Sequence, residues 1–328
     1  MKIIKLFFLL TFGLWSDFEL DMPNEVSTEQ LHQIIKNGWN DKNETLNQFI
    51  IKHGEAVMPE AIQKMKKPLI RAESSQNDIF STPKILLSRD DYFFILAYVK
   101  YLENENKLDV ALNTYIQILE GLNNTNDNSL LNLLLHVTIE EMVVTSLNES
   151  LNKNIFSQEM KLKLKSEIND FLILNTKDIL MAYEGEKKFI LKAIDISLTA
   201  ETSAKDASYE YKKYTSEVHE HWEKYTILYF NKIKTFMEQE SPNPLKEFER
   251  FIDNEKEERD SLKNKILFIL SSLKAKVKNF LLIGNETYGF AAQHVGQTMA
   301  LTSIPKMVSF YFDYLELIKK NEKLLSSL

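Results

Sequence analysis

Paired histidines and carboxylates are the residues of this chain whose types and spacing admit chemistry. His136 and Glu140 stand four apart with Glu141 adjacent, and His219 and His221 flank Glu220. Residues four apart on a helix share a face, so an imidazole and a carboxylate at that spacing can hold one divalent cation. His136, Glu140 and His221 form the candidate metal site, on the condition that the fold brings the two stretches together. The competing reading makes His136 a hydrogen-bonded core histidine and leaves His219 and His221 solvated. A di-iron bundle needs Glu-x-x-His on two helices; here that spacing occurs only at Glu29–His32. No cofactor is expected.

Other reaction chemistries find less material. The chain has no cysteine, which removes disulfides, thiolate-ligated zinc, iron–sulfur clusters and a thiol nucleophile. Gly284-Asn-Glu-Thr-Tyr-Gly289 carries the glycine spacing of a phosphate loop, but Phe290 and Ala291 stand where lysine and a hydroxyl belong, so the phosphate charge would have no partner. Neither a Gly-x-Ser-x-Gly elbow nor a His-Glu-x-x-His pair occurs. The acids Glu184 and Glu186 read as solvated, or as paired with lysine, as Glu186 would be with Lys188 or Lys192. No catalytic residue is assigned.

The elements that must position these residues are helices. Among 328 residues only 8 are Gly and 7 are Pro, the two types that break helices through backbone entropy and a missing N–H. A β-rich chain needs turn residues every 8–12 positions and would need more of both. The expected fold class is all-α, a multi-helix antiparallel bundle or a short helical-hairpin array. A net charge of −7 with only four arginines, Arg71, Arg89, Arg250 and Arg259, argues against nucleic acid as a partner, because phosphate and base recognition favours the guanidinium fork.

Met1–Ser16 places Lys2 and Lys5 before the ten-residue apolar run Leu6–Trp15. That is the pattern of a signal peptide, or of a short N-terminal anchor if uncleaved. No later stretch reaches the 18 uninterrupted apolar residues of a spanning helix. A small helical subdomain is expected over 17–66, a linker over 67–88, where Pro68 and Pro83 bracket a polar stretch, and a main helical domain over 89–328. Ser27–Gln30 is a capping box that opens a helix carrying Leu31, Ile34 and Ile35, with Gly38 as its end. Asp41 is the expected cap of a second helix, closed by Gly54, and a third short helix follows Pro59. Residues 90–122 read as a helical hairpin with Gly121 at its C-cap, 128–152 as a central helix, and 157–174, 176–201 and 205–240 as further helices. Residues 243–281 are one helix or two. Gly289, Ala291, Ala292 and Gly296, in a stretch almost without charge, predict a closely packed helix that Pro305 ends.

At 90–122, Ala111 and Tyr115 occupy the small and aromatic positions of a second helix, and the hairpin resembles one tetratricopeptide unit. It departs from that family in having no initial Trp and in carrying Val99 at the family's Gly position. Beyond it, the Ser-Leu-Leu central helix, the Glu184–Glu186 segment and the glycine-containing finish look like a diffuse group of exported all-helical bacterial proteins of unknown function. The resemblance implies an all-helical fold and no activity. The expected role is an exported, periplasmic or extracytoplasmic interaction or scaffold protein without catalysis, with a protein partner. An envelope protein attached to the membrane through its N-terminus is the alternative, and a metal-dependent or other hydrolase the second alternative.

Overall fold

The computed structural model describes residues 26–40, 42–65, 70–71, 84–85, 87–123, 130–202, 209–238, 244–260, 286–303 and 305–328. The fold is all-α. Eleven helices are described: α1 Thr28–Asn37, α2 Glu44–Met65, α3 Arg89–Asn104, α4 Leu108–Asn123, α5 Leu130–Asn152, α6 Gln158–Ile168, α7 Lys177–Thr202, α8 Tyr209–Glu238, α9 Pro244–Asp260, α10 Glu286–Ser303 and α11 Pro305–Ser327. Two short strands, β1 Ile70–Arg71 and β2 Lys84–Ile85, pair antiparallel within the expected linker. The segment Met1–Ser16 lies outside the described residues, as do Asp41 and Gly284. Among the described residues no helix is long and apolar enough to cross a membrane.

The chain forms two compact units, one of Met1–Asp178 with Tyr314–Leu328 and one of Ile179–Asp313. In the first unit α1 begins at the expected capping box: the Gln30 N–H donates to Ser27 Oγ and the Ser27 N–H donates to Gln30 Oε1. It ends at Gly38, whose φ of 84° and ψ of 175° lie in a region that glycine alone occupies comfortably. Leu31, Ile34 and Ile35 are buried, as their spacing predicts.

Three boundaries differ from expectation. Gly54 and Pro59 do not divide α2, which runs unbroken from Glu44 to Met65. Its buried stripe of Leu46, Phe49, Ile50, Met58, Ala61 and Met65 continues through both, and this tertiary packing outweighs the lost Pro59 N–H. Gly54 serves packing instead: a Cβ there would stand 2.6 Å from Cγ of Tyr98. Gly121 is likewise no C-cap but lies inside α4, with Met65 backbone against it. Finally, α6 stops at Ile168 rather than near 174, because the backbone of Ile173 is bound elsewhere, as described below. The expected hairpin over 90–122 forms as α3 and α4, with Asn106 in the left-handed region (φ 58°) at its turn. On its second arm Ala111, Tyr115, Ile118 and Leu119 are buried, whereas Val110 is 54% exposed.

In the second unit α8 and α10 approach closely. A Cβ on Gly296 would stand 2.6 Å from the Trp222 backbone N and 2.7 Å from the Val218 carbonyl O, so only glycine permits the contact. Ala292 and Ala300, four residues to either side, are buried. Rings of Phe236, Phe248 and Phe251 join α8 to α9. Of the expected 243–281 helix, Pro244–Asp260 is described, and the remainder lies outside the described residues.

Candidate functional site

Three polar constellations stand out. The first is built on Lys100, which the apolar run of α3 carries into the core at 1% exposure. Its Nζ has four acceptors: Glu103 Oε2 at 3.0 Å, Glu149 Oε2 at 2.6 Å, the Ser146 carbonyl at 2.7 Å and Ser150 Oγ at 2.5 Å. Ser150 Oγ donates to Glu103 Oε1 at 2.7 Å, and the Tyr115 hydroxyl donates to the same oxygen at 3.0 Å. Burial, with the Glu103 charge adding to it, holds the Tyr115 phenol well above its usual range. The chain of contacts continues outward, because Glu149 Oε1 pairs with Lys153 at 2.5 Å and Lys153 Nζ donates to the Asn37 carbonyl at 2.6 Å, at the end of α1. Two lysines thus meet two glutamates.

A lysine beside a serine invites comparison with a nucleophile and its base. The hydrogen bonds run the other way. A lysine base would have to accept the hydroxyl hydrogen, whereas here Lys100 Nζ donates to Ser150 Oγ and the Ser150 hydroxyl donates to Glu103. Ser150 is also fully buried. The constellation ties α1, α3, α4 and α5 together. Sequence reasoning missed it, although half a signal existed: Lys100 ends the run Tyr92–Val99, whereas Ser146, Glu149 and Ser150 are three of many polar residues on α5.

The second constellation contains two of the three expected metal ligands. His136 Nε2 and Glu140 Oε2, both on α5, stand 2.9 Å apart. Glu140 is fully buried, and its Oε1 accepts from the Ile173 N–H at 2.9 Å and from Asn321 Nδ2 at 2.6 Å. Asn321 Nδ2 also donates to the Ile173 carbonyl at 2.7 Å. A glutamate and an asparagine therefore grip both backbone groups of Ile173, which are then lost to helix bonding; this ends α6 early. Beside them Lys320 pairs with Glu141 at 2.5 Å, and the Tyr314 hydroxyl donates to the Asn175 carbonyl at 2.8 Å. Asn321 sits in the polar stretch Lys319–Lys323, and nothing in its local pattern distinguishes it from a solvated residue.

The third expected ligand, His221, belongs to the second unit and has other company. Its ring lies 6.5 Å from that of Tyr225, which lies 5.8 Å from that of Tyr229. Burial pushes His221 below the usual imidazole range, with Glu220 opposing. The tyrosine hydroxyls are held across the helix pair. Gln293 donates to Tyr225 at 2.7 Å, while Tyr229 and Gln297 both donate to Glu255 Oε2. His219 is buried rather than solvated, and its Nδ1–H donates to the Thr215 carbonyl at 2.7 Å. Among the described residues no group of three His, Asp or Glu side chains is placed to hold a metal ion. Glu184, not Glu186, finds lysines, Lys234 at 3.5 Å and Lys187 at 3.7 Å. Comparison with known proteins finds no family model, no curated protein and no solved structure that matches the chain.

Proposed function

We propose that the chain is an exported helical interaction protein, without catalysis of its own, that presents a hairpin face to a protein partner outside the cytoplasm. The observation that carries this reading is the contrast between the two sides of the α3–α4 hairpin. Inside, Lys100 and Glu103 of α3 are consumed in hydrogen bonds with one another and with α4 and α5. Outside, Val110 on α4 and Leu162 on α6 are 54% and 57% exposed, and Asn113, one turn from Val110, accepts a hydrogen bond from Lys163, the neighbour of Leu162. Large apolar side chains grouped on adjoining helices favour association with another surface. The similarity of this hairpin to a tetratricopeptide unit fits a peptide or helix as the occupant. Export rests on the Lys2–Trp15 pattern.

Site-specific photocrosslinking tests the reading in the native cell. A photoreactive residue at position 162 should give one discrete adduct in the envelope fraction, lost when Val110→Asp is combined with it. A chain that forms no adduct and turns over a substrate would remove the proposal. Amino-terminal sequencing of the mature protein tests the address, and the expected start follows Ser16.

A further inference from the structure

The geometry points to a binding site for a divalent transition-metal cation at His136, Glu140 and Asn321. Three buried atoms of this cluster have no hydrogen-bond partner: His136 Nε2, Glu140 Oε2 and Asn321 Oδ1. Buried polar atoms in native folds are almost always satisfied, and an unsatisfied group calls for an ion or a water. Here the three are an imidazole nitrogen, a carboxylate oxygen and an amide oxygen. That donor set suits zinc, manganese or ferrous iron better than calcium or cuprous copper.

The spacing supports a common ion. His136 Nε2 and Glu140 Oε2 are 2.9 Å apart, yet neither makes a hydrogen bond. Two ligands each about 2.1 Å from one octahedral ion, at a right angle to each other, lie about 3 Å apart, against about 3.4 Å at a tetrahedral angle, so the separation fits six-coordinate manganese or ferrous iron better than tetrahedral zinc. The remaining Glu140 oxygen is oriented by the Ile173 N–H and Asn321 Nδ2, the kind of support that ligating carboxylates have. The Asn321 amide cannot be turned over, because Nδ2 faces two acceptors, Glu140 Oε1 and the Ile173 carbonyl, and an oxygen there would meet only lone pairs.

Charge points the same way. Glu140 is fully buried, Lys320 pairs with the neighbouring Glu141, and among the described residues only His136 forms an ion-pair contact with Glu140. A buried carboxylate is costly without a compensating charge. The His136 side chain retains 10% exposure, which gives the ion a way in and leaves room for water as further ligands. Binding would link α5, the turn at Ile173 and α11, so metal affinity becomes stability of the first unit.

The test uses the full chain stripped with a chelator and titrated with zinc or manganese chloride alone. One equivalent should bind saturably, raise the melting temperature, and bind at least tenfold more weakly to His136→Ala. Absence of saturable binding to the wild-type chain, or unchanged affinity in the variant, overturns the proposal and leaves a plain histidine–glutamate pair. Should the variant fail to fold, X-ray absorption at the zinc edge of the wild-type chain decides. One imidazole with oxygen ligands supports the site, and two or more imidazoles, or none, reject it.

Discussion

Lys100 is the residue whose burial is most demanding. An ammonium removed from water is retained only where several acceptors replace its hydration, and here two carboxylates, a carbonyl and a hydroxyl do so. Removing it leaves Glu103 and Glu149 buried with like charges and one fewer partner. Lys100→Met is therefore expected to cost about 3–5 kcal/mol, the usual penalty for breaking a buried pair from one side. Lys153 belongs to the same network but is half exposed at 50%, where water takes over its role, and Lys153→Met should cost under about 1 kcal/mol. Urea unfolding of the two variants checks this, and equal costs would contradict the closed-network description. The asymmetry is invisible to composition, since both residues are lysines beside a glutamate.

Helices were legible wherever their signals are local. The Ser27–Gln30 box, the Gly38 stop and Pro305 at the first turn of α11 act within a few residues, and each falls where the spacing predicts. Errors arose where the decisive partner is distant. Gly54 and Gly121 look like stop signals, yet they are small because Tyr98 and Met65 lie against them. Likewise α6 ends because Glu140 and Asn321, 33 and 148 residues from Ile173, bind its backbone. Gly296 is the clearest element-scale case, because its glycine character sets the separation of α8 and α10. The atoms facing it are backbone, Trp222 N and Val218 O, which cannot rotate away as a side chain can. Gly296→Ala should therefore cost about 1–3 kcal/mol through overpacking, despite the better helix propensity of alanine. Urea titration followed by circular dichroism reads the effect; a stabilised variant would mean the helices part freely.

At the scale of the whole molecule, the scarcity of glycine and proline made the all-α class legible, because it constrains every element at once. The polar sites were only half legible: His136 and Glu140 share a helix and a four-residue spacing, whereas Asn321 joins them from the far end of the chain. The same distinction separates Glu184 from Glu186. Both lie in one short stretch of α7, but Lys187 and Lys234 reach Glu184, while among the described residues no ion pair or hydrogen bond reaches Glu186. Burial alone raises the Glu186 carboxyl to about 7. In the unfolded chain the same group titrates near 4.5, so the folded form binds the proton more tightly. Stability from this group is then complete below pH 4.5, falls as pH rises toward 7, and is constant above that. Because Glu186 is only partly buried, the full shift overstates the effect, and a loss on the order of 1–3 kcal/mol is expected between pH 4.5 and 7.5. Glu186→Gln cannot ionise and should show a shallower decline over that interval, with stability at pH 7.5 above that of the wild type. Urea titrations of both chains across this range measure the difference, and parallel profiles would place the Glu186 carboxylate in contact with water.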